Sequence, residues 1–333
     1  MYAKKTSLWI LLLIVLFIIG FFVARESGDE NKTIKRTQIL LGTIVEIQVI
    51  DDDEKKAENA ITQAFNEIKR IDELFSTFKE SSPIWKINNS SDSVFQIDTE
   101  IYNLFLLCDS VSKISENAFD VSLDNLSKVW GFYTNNPSVP SKSMIDSSLE
   151  LSGWDNVTIL TENKISRKKK VGFNFGAIAK GYAVDKAIEI LKNYRISQAL
   201  VNAGGEVKAF GRKWKVGIQH PREPKQIIEV VIISDNSIAT SGDYEQYFEV
   251  DGKRYHHIIN PETGYPSTGI QSVSIINKSN AFADALATAV FVLGVDKGLK
   301  LVESINNTEA MIVDEKGEIF YSKNFGSYIF NEN

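Results

Sequence analysis

The chain's 333 residues, 43% hydrophobic and 24% charged, have the composition of an ordinary globular protein, which excludes a disordered or fibrous chain. A formal net charge of −6 gives no basic surface for nucleic acid. The single cysteine, Cys108, excludes an internal disulfide; set in an apolar helical pattern, it reads as a buried core thiol and says little about redox compartment.

Lys4 and Lys5 precede a nearly unbroken apolar run over residues 8–24. At ~1.5 Å per residue such a run nearly spans a bilayer core. No small-residue cleavage pattern follows it, and no cysteine is placed to take a lipid. Residues 1–25 are therefore expected to be an uncleaved signal anchor. The lysines on its short side should stay in the cytoplasm, giving a single-pass protein of the cell membrane with its folded part on the extracytoplasmic side. Residues 26–36 are polar and charged and read as a tether; residues 37–333 form the folded part.

Residues 38–50 alternate as a strand, with Thr43, Val45, Ile47 and Val49 on one face. Residues 54–75 place Ala57, Ile61, Ala64, Ile68, Ile71 and Phe75 at helical spacing, and residues 100–115 form a second apolar-periodic helix. A loop rich in Pro, Ser and Asn over 135–143 leads to a helix over 144–151. Residues 157–160 and 164–166 suit a hairpin, and the run Arg167-Lys168-Lys169-Lys170 reads as a solvated turn. A helix over 177–194 turns Ala183, Ala187, Ile190 and Leu191 inward. Short strands separated by turns fill residues 198–276. Helices over 280–293 and 297–305 and a hairpin over 309–321 close the chain. Helices and antiparallel strands segregate, so the fold class is α+β.

Four stretches are not explained by ordinary packing. Residues 176–183, Gly-Ala-Ile-Ala-Lys-Gly-Tyr-Ala, open a helix with small residues. Free N–H groups, the helix dipole and Lys180 suit a phosphate or pyrophosphate there; a tightly packed helix start with a surface lysine fits equally well. Residues 202–206, Asn-Ala-Gly-Gly-Glu, follow a buried strand and suit either a flat ligand or a plain turn. Residues 239–244 precede His256 and His257, of which only one can face a given site, because neighbouring strand residues point to opposite faces. Asp284 and Thr288 share one face of an otherwise almost wholly apolar helix. A buried carboxylate needs a partner, and an oxygen-only donor set suits Mg²⁺. The alternative is an Asp capping a neighbouring loop, with Thr288 bonded back to its own helix.

Together these stretches resemble the ApbE family of FAD:protein FMN transferases. Leu41-Gly42-Thr43, Phe75-Ser76-Thr77-Phe78, Ala118-Phe119-Asp120-Val121-Ser122 and Trp130-Gly131-Phe132 also carry the resemblance, in the family's order, over residues 37–321. It implies a single α+β domain, T-fold-like, of antiparallel sheets and packed helices, with FAD as substrate and Mg²⁺ at its pyrophosphate. It further implies side-chain metal ligands at Asp284 and Thr288, a backbone ligand near Ala177, and a pyrophosphate or FAD contact at Lys180. Leu41, Phe78 and Asp120 become flavin or adenine neighbours, and His257 stands near the reacting phosphate. The family usually shows Met at Leu41, with loss here of a sulfur–aromatic contact, and often Asp at Asn174, with loss of a charge that would pair with metal or lysine.

The implied activity splits FAD, attaches FMN through a phosphoester to a threonine of an exported or membrane-attached acceptor protein, and releases AMP. Mg²⁺ and Lys180 neutralise phosphate charge, and His257 or Asp243 takes the threonine proton. Hydrolysis of FAD to FMN and AMP would use the same metal site. A flavin-binding protein without turnover would not need the Asp284/Thr288 pair.

Overall fold

The computed structural model describes residues 33–168 and 170–331. The expected anchor, and the tether as far as Lys32, lie outside the described residues. Among the described residues no helix is long and apolar enough to cross a membrane.

A hairpin comes first. Strands β1 (Thr33–Leu40) and β2 (Thr43–Ile50) pair antiparallel from Thr33↔Ile50 to Leu40↔Thr43. The single strand expected over residues 38–50 is thus the turn region and second arm of a hairpin. Leu41 and Gly42 have φ of 54° and 70°, the left-handed pair that a two-residue hairpin turn requires. The last tether residues belong to β1, where the register, not their polarity, decides.

Helix α1 (Glu54–Leu74) starts where Asp53 accepts the Lys56 N–H at 2.9 Å, and it buries Ala57, Ala60, Ile61, Ala64, Phe65, Ile68 and Ile71. Then come α2 (Pro83–Asn89), β3 (Val94–Gln96), α3 (Thr99–Ile114), α4 (Asp124–Trp130), α5 (Lys142–Glu150), β4 (Val157–Leu160) and β5 (Lys164–Arg167). The expected solvated turn after β5 begins with a buried residue. Arg167 is 3% exposed, donates to the carbonyls of Val171 and Ser90, and lies over the Phe95 ring. Its stem and planar head pack while Nη1 and Nη2 donate to backbone carbonyls.

Helix α6 (Ala179–Asn193) leads to β6 (Gln198–Ala203), β7 (Glu206–Phe210), β8 (Trp214–Gln219), β9 (Ile227–Ile233), β10 (Ser237–Gly242), β11 (Tyr247–Val250), β12 (Lys253–His256) and β13 (Ile270–Asn277). Helix α7 (Asn280–Glu303) is broken at Gly294, whose backbone is non-helical (φ 80°, ψ −178°), so the two expected helices are two arms of one element. Strands β14 (Glu309–Asp314) and β15 (Ile319–Tyr321) close the fold.

The main sheet has eight strands in the order β1-β2-β6-β7-β10-β13-β14-β15, with every neighbouring pair antiparallel. Alternation sorts its side chains into two cores. Val45, Ile47, Val49, Val201, Val273, Ile275 and Ile312 face the helices α1, α6 and α7. Leu200, Val207, Ile276, Met311 and Val313 face the β8–β9 hairpin and Phe325. A third cluster joins α4 and α5 to Ile259, and Trp130 Nε1 donates to the Gly264 carbonyl at 2.9 Å. The chain is α+β, and the edges of these layers meet around one cleft.

Candidate active site

The cleft opens to solvent and draws on five separated segments. Asp120 comes from the loop after α3; Asn174, Ala177 and Lys180 from the start of α6; Ser241 and Glu245 from the end of β10 and beyond; His257 from the loop after β12; Asp284 and Thr288 from α7.

Helix α7 turns Asp284 and Thr288 inward together because they are four residues apart. Asp284 Oδ2 accepts the Gly181 N–H at 2.9 Å, and Thr288 Oγ1 shares a hydrogen bond of 3.2 Å with Ser241 Oγ. This contact needs glycine at 181: a Cβ there would lie 2.4 Å from the Asn280 carbonyl oxygen and 2.8 Å from Asp284 Cβ. The helix start that was expected to offer free donors therefore has one of them, Gly181 N–H, already engaged by a carboxylate.

Lys180 is engaged as well. Its Nζ donates to Glu206 Oε1 at 2.7 Å and stands 3.5 Å from Glu245 Oε2. Burial pulls the ammonium down, but Glu206, Glu245 and Asp284 together outweigh it and hold Lys180 well above its ordinary value. Burial pushes all three carboxylates up, Asp284 to about 6. Glu206 is fully buried, and its Oε2 has no hydrogen-bond partner among the described residues. One ammonium thus faces three carboxylates, a charge deficit that a cation would relieve.

The two histidines divide as neighbouring residues at a strand end must. His256 is buried, with Nε2 2.8 Å from the Ser267 carbonyl and its ring against Phe291. His257 lines the cleft, its Nδ1 3.3 Å from the Gln246 carbonyl. Burial first, and then the Lys180 charge, push His257 down to about 4, so its imidazole is neutral at pH 7. With the proton on Nδ1 donating to Gln246, Nε2 is the basic nitrogen.

Asp120 also lines the cleft. Ser122 N–H and Oγ each donate to its Oδ1 at 2.6 Å, and Trp154 N–H donates to Oδ2 at 3.0 Å; burial still pushes it up to about 6. Phe78 stands beside the cleft rather than in it. It is 69% exposed and lines an adjoining open depression with Phe132, Tyr133 and Gln246, its ring edge-on to Tyr133. Leu41 lines neither. It sits in the β1–β2 turn, two residues before Thr43, against which the Gly204 backbone packs so closely that a Cβ would lie 2.4 Å from Thr43 Oγ1.

Asp243 is not brought into the cleft. Arg222 grips both its oxygens, at 2.6 and 2.7 Å, and Arg254 stands 3.5 Å away. A carboxylate fixed in a guanidinium fork outside the cleft lining lacks the reach of a base there, so the expected role of Asp243 is withdrawn. The sequence singled out residues 202–206 without a role for Glu206, and gave Glu245 no place at all. The only signal for Glu206 was a carboxylate opening a strand immediately after Gly204-Gly205, and for Glu245 its place three residues past Gly242, the end of β10.

Among the described residues, no cluster of three or more His, Cys, Asp or Glu side chains is arranged to hold a metal alone. The oxygens that line the cleft include the Asp284 carboxylate, the Thr288 hydroxyl and the backbone of Ala177, with Lys180 in the same lining.

Comparison with known proteins agrees with this architecture. A curated FAD:protein FMN transferase of Klebsiella pneumoniae is 29% identical over 300 residues, covering 88% of this chain and 93% of that one. One from Escherichia coli K12 is 27% identical and covers 94% and 95%. The crystal structure of the ApbE protein of Thermotoga maritima superposes with a TM-score of 0.85 at 34% identity, over 90% of this chain and 100% of that one. The apo flavinyl transferase ApbE of Pseudomonas stutzeri gives 0.81 at 28%, over 92% and 100%. The ApbE family model itself matches residues 41–312, from the turn of the first hairpin to β14 and through every segment that lines the cleft, and the chain belongs to that family.

Proposed function

We infer that this chain is an FAD:protein FMN transferase. The observation that carries the inference is the cleft itself: Lys180, His257, Asp284, Thr288 and Ala177, remote in sequence, line one cavity in a fold shared with flavin transferases. FAD enters as substrate, with its pyrophosphate toward Lys180 and the start of α6. The acceptor's threonine hydroxyl attacks the phosphorus on the FMN side. A new P–O bond forms as the bond to the bridging oxygen breaks, and AMP leaves with that oxygen. His257 Nε2 takes the hydroxyl proton; the pyrophosphate's negative charge opposes that of Lys180 and makes the imidazole a better base than in the empty cleft.

Mg²⁺ fits the residues present. The cluster has fewer cations than carboxylates, one buried Glu206 oxygen has no hydrogen-bond partner among the described residues, and the donors are all oxygen. One carboxylate plus neutral oxygens suits a cation that takes its other ligands from substrate phosphates. Asp284, Thr288 and the Ala177 backbone would hold it. When bound, it supplies charge neutralisation at the pyrophosphate. We further propose that residues 1–25 anchor the protein in the cell membrane, which makes the acceptor an exported or membrane-attached protein. The deciding experiment incubates the protein with FAD, Mg²⁺ and a threonine-bearing acceptor, followed by mass spectrometry. An FMN adduct on the threonine is expected; free FMN and AMP with an unmodified acceptor would make the protein a hydrolase, and intact FAD would end the reading.

A further inference from the structure

Helices α6 and α7 cross at their first turns, and there each receives a carboxylate from the other. Gly181 N–H of α6 donates to Asp284 Oδ2 of α7 at 2.9 Å. In return Asn280 N–H donates to Oδ1 and Ala281 N–H to Oδ2 of Asp185, each at 3.0 Å, and Ser279 Oγ donates to the same Oδ2 at 3.0 Å. Lys208 Nζ of β7 closes the arrangement at 2.6 Å from Asp185 Oδ1. First-turn N–H groups have no partner within their own helix, and the dipole there favours an anion, so both exchanges satisfy donors that would otherwise be orphaned. Asp185 itself does not line the cleft.

We propose that Asp185 is a positioning residue for the metal-binding side chains: by holding the start of α7 against α6, it sets where Asp284 and Thr288 stand relative to Lys180. Asp284 lies one turn beyond the capped N–H groups and Thr288 one turn further, so a shift of α7 at its cap carries both donors with it. Mg²⁺ tolerates little error in its oxygen distances, so a displacement too small to unfold the protein still weakens the site. The inference rests on the flavin-transferase reading and on Mg²⁺ as its cation.

The test is Asp185→Asn, which keeps the side chain's size but loses its charge and turns an NH₂ toward one of the helix N–H groups. Three readouts are taken at stepped Mg²⁺ concentration: FMN transfer to the acceptor, quenching of FAD fluorescence on binding, and melting temperature. Outer partners of metal ligands typically change metal affinity by about 10–100-fold, so the Mg²⁺ needed for half-maximal transfer and half-maximal quenching should both rise about tenfold or more. Transfer at saturating Mg²⁺ should return to within a few-fold of the parent. A folded Asp185→Asn with the parent's Mg²⁺ requirement overturns the proposal, whatever its melting temperature. If that variant does not fold, Ser279→Ala decides, since it removes one donor from the clasp. A rise of about threefold is expected for loss of one such bond, and an unchanged requirement refutes the role. Should the parent transfer no FMN, the functional reading falls, while Mg²⁺-dependent FAD quenching still tests the clasp.

Discussion

Lys180→Met probes the charge cluster and the chemistry at once. Lys180 and Glu206 stand 2.7 Å apart with side chains 19% and 1% exposed, and the second Glu206 oxygen has no hydrogen-bond partner among the described residues. Removing one member of a buried ion pair costs about 3–5 kcal/mol; partial exposure of Lys180 places this case near the low end, about 3 kcal/mol. For a protein of this size that corresponds to a fall in melting temperature of roughly 5 °C. The loss should depend on pH. Burial, and then the nearby Asp284 and Glu245 charges, already push Glu206 up against the pull of Lys180. Without the lysine it rises further, so the folded state keeps a proton that the unfolded chain has released above about pH 4.3. Stability then falls more steeply with rising pH than in the parent, so the deficit should be larger at pH 7.5 than at pH 5. FMN transfer should drop by about 100-fold or more, the scale of losing a preorganised charge at a transferring phosphoryl group. Scanning calorimetry at the two pH values and mass spectrometry of the acceptor provide the readouts. Lys180→Met/Glu206→Gln should recover the melting temperature and flatten its pH dependence while leaving transfer lost. A single variant that melts with the parent at pH 7.5 would refute the buried pair; a double variant that regains transfer would refute the phosphate role of the lysine.

Asp284→Ala should remove Mg²⁺-dependent transfer while keeping the parent's melting temperature or raising it, because a buried charge is gone; chelation should mimic it, and added Mg²⁺ should reverse the chelation but not the mutation. Thr288→Val, which keeps the shape and deletes one neutral donor, should do less harm, and equal damage from the two would count against the ligand assignment. Of the chain's three histidines, His256 and His257 should remain neutral down to about pH 4 in an NMR titration of the imidazole signals, held down mainly by burial. In Lys180→Met the His257 midpoint should move upward, and a midpoint near 6.5 in the parent would show an open, solvated ring. Gly181→Ala puts a methyl 2.4 Å from the Asn280 carbonyl oxygen, so the helices must part; a loss of about 1–3 kcal/mol in denaturant melts is expected, with none if the crossing is loose.

The elements most legible in the sequence were those whose period fixed their environment. Residues 54–75 and 177–194 repeat apolar residues at helical spacing, and α1 and α6 occupy those spans to within two residues at each end. Where a signal was local and weak, the reading failed. Leu41 is an ordinary apolar residue, and only its left-handed backbone reveals a hairpin turn. The short helices α2 and α4 hold their shape through Ser82 capping Ile84 and through Trp130 packing on Phe132 and Tyr265, contacts that no seven-residue window displays. The cleft residues His257, Lys180, Asp284 and Thr288 were legible because each broke an otherwise apolar or glycine-rich pattern. Asp243 broke its pattern too, but its partner Arg222 lies in the turn between β8 and β9, and only the fold brings them together. The partnership of Glu206 with Lys180 was hidden for the same reason: the two are joined through space, across the crossing from α6 to β7.

The order of strands in the main sheet bears on how the protein reaches its fold. Strand β2 finds its second neighbour in β6, pairing Val45 with Ala203, and everything from α1 to α6 is threaded between them. The first hairpin therefore cannot be built into the sheet until most of the chain is available. Sheets closed by such distant partners assemble slowly, because a long loop must be ordered before its contacts are made. The helical segment in between has its own local contacts and can collapse early, leaving β1–β2 to dock late. Refolding followed at both ends of the molecule should accordingly show amide protection arising first in α1 and α3 and last along the β2–β6 seam.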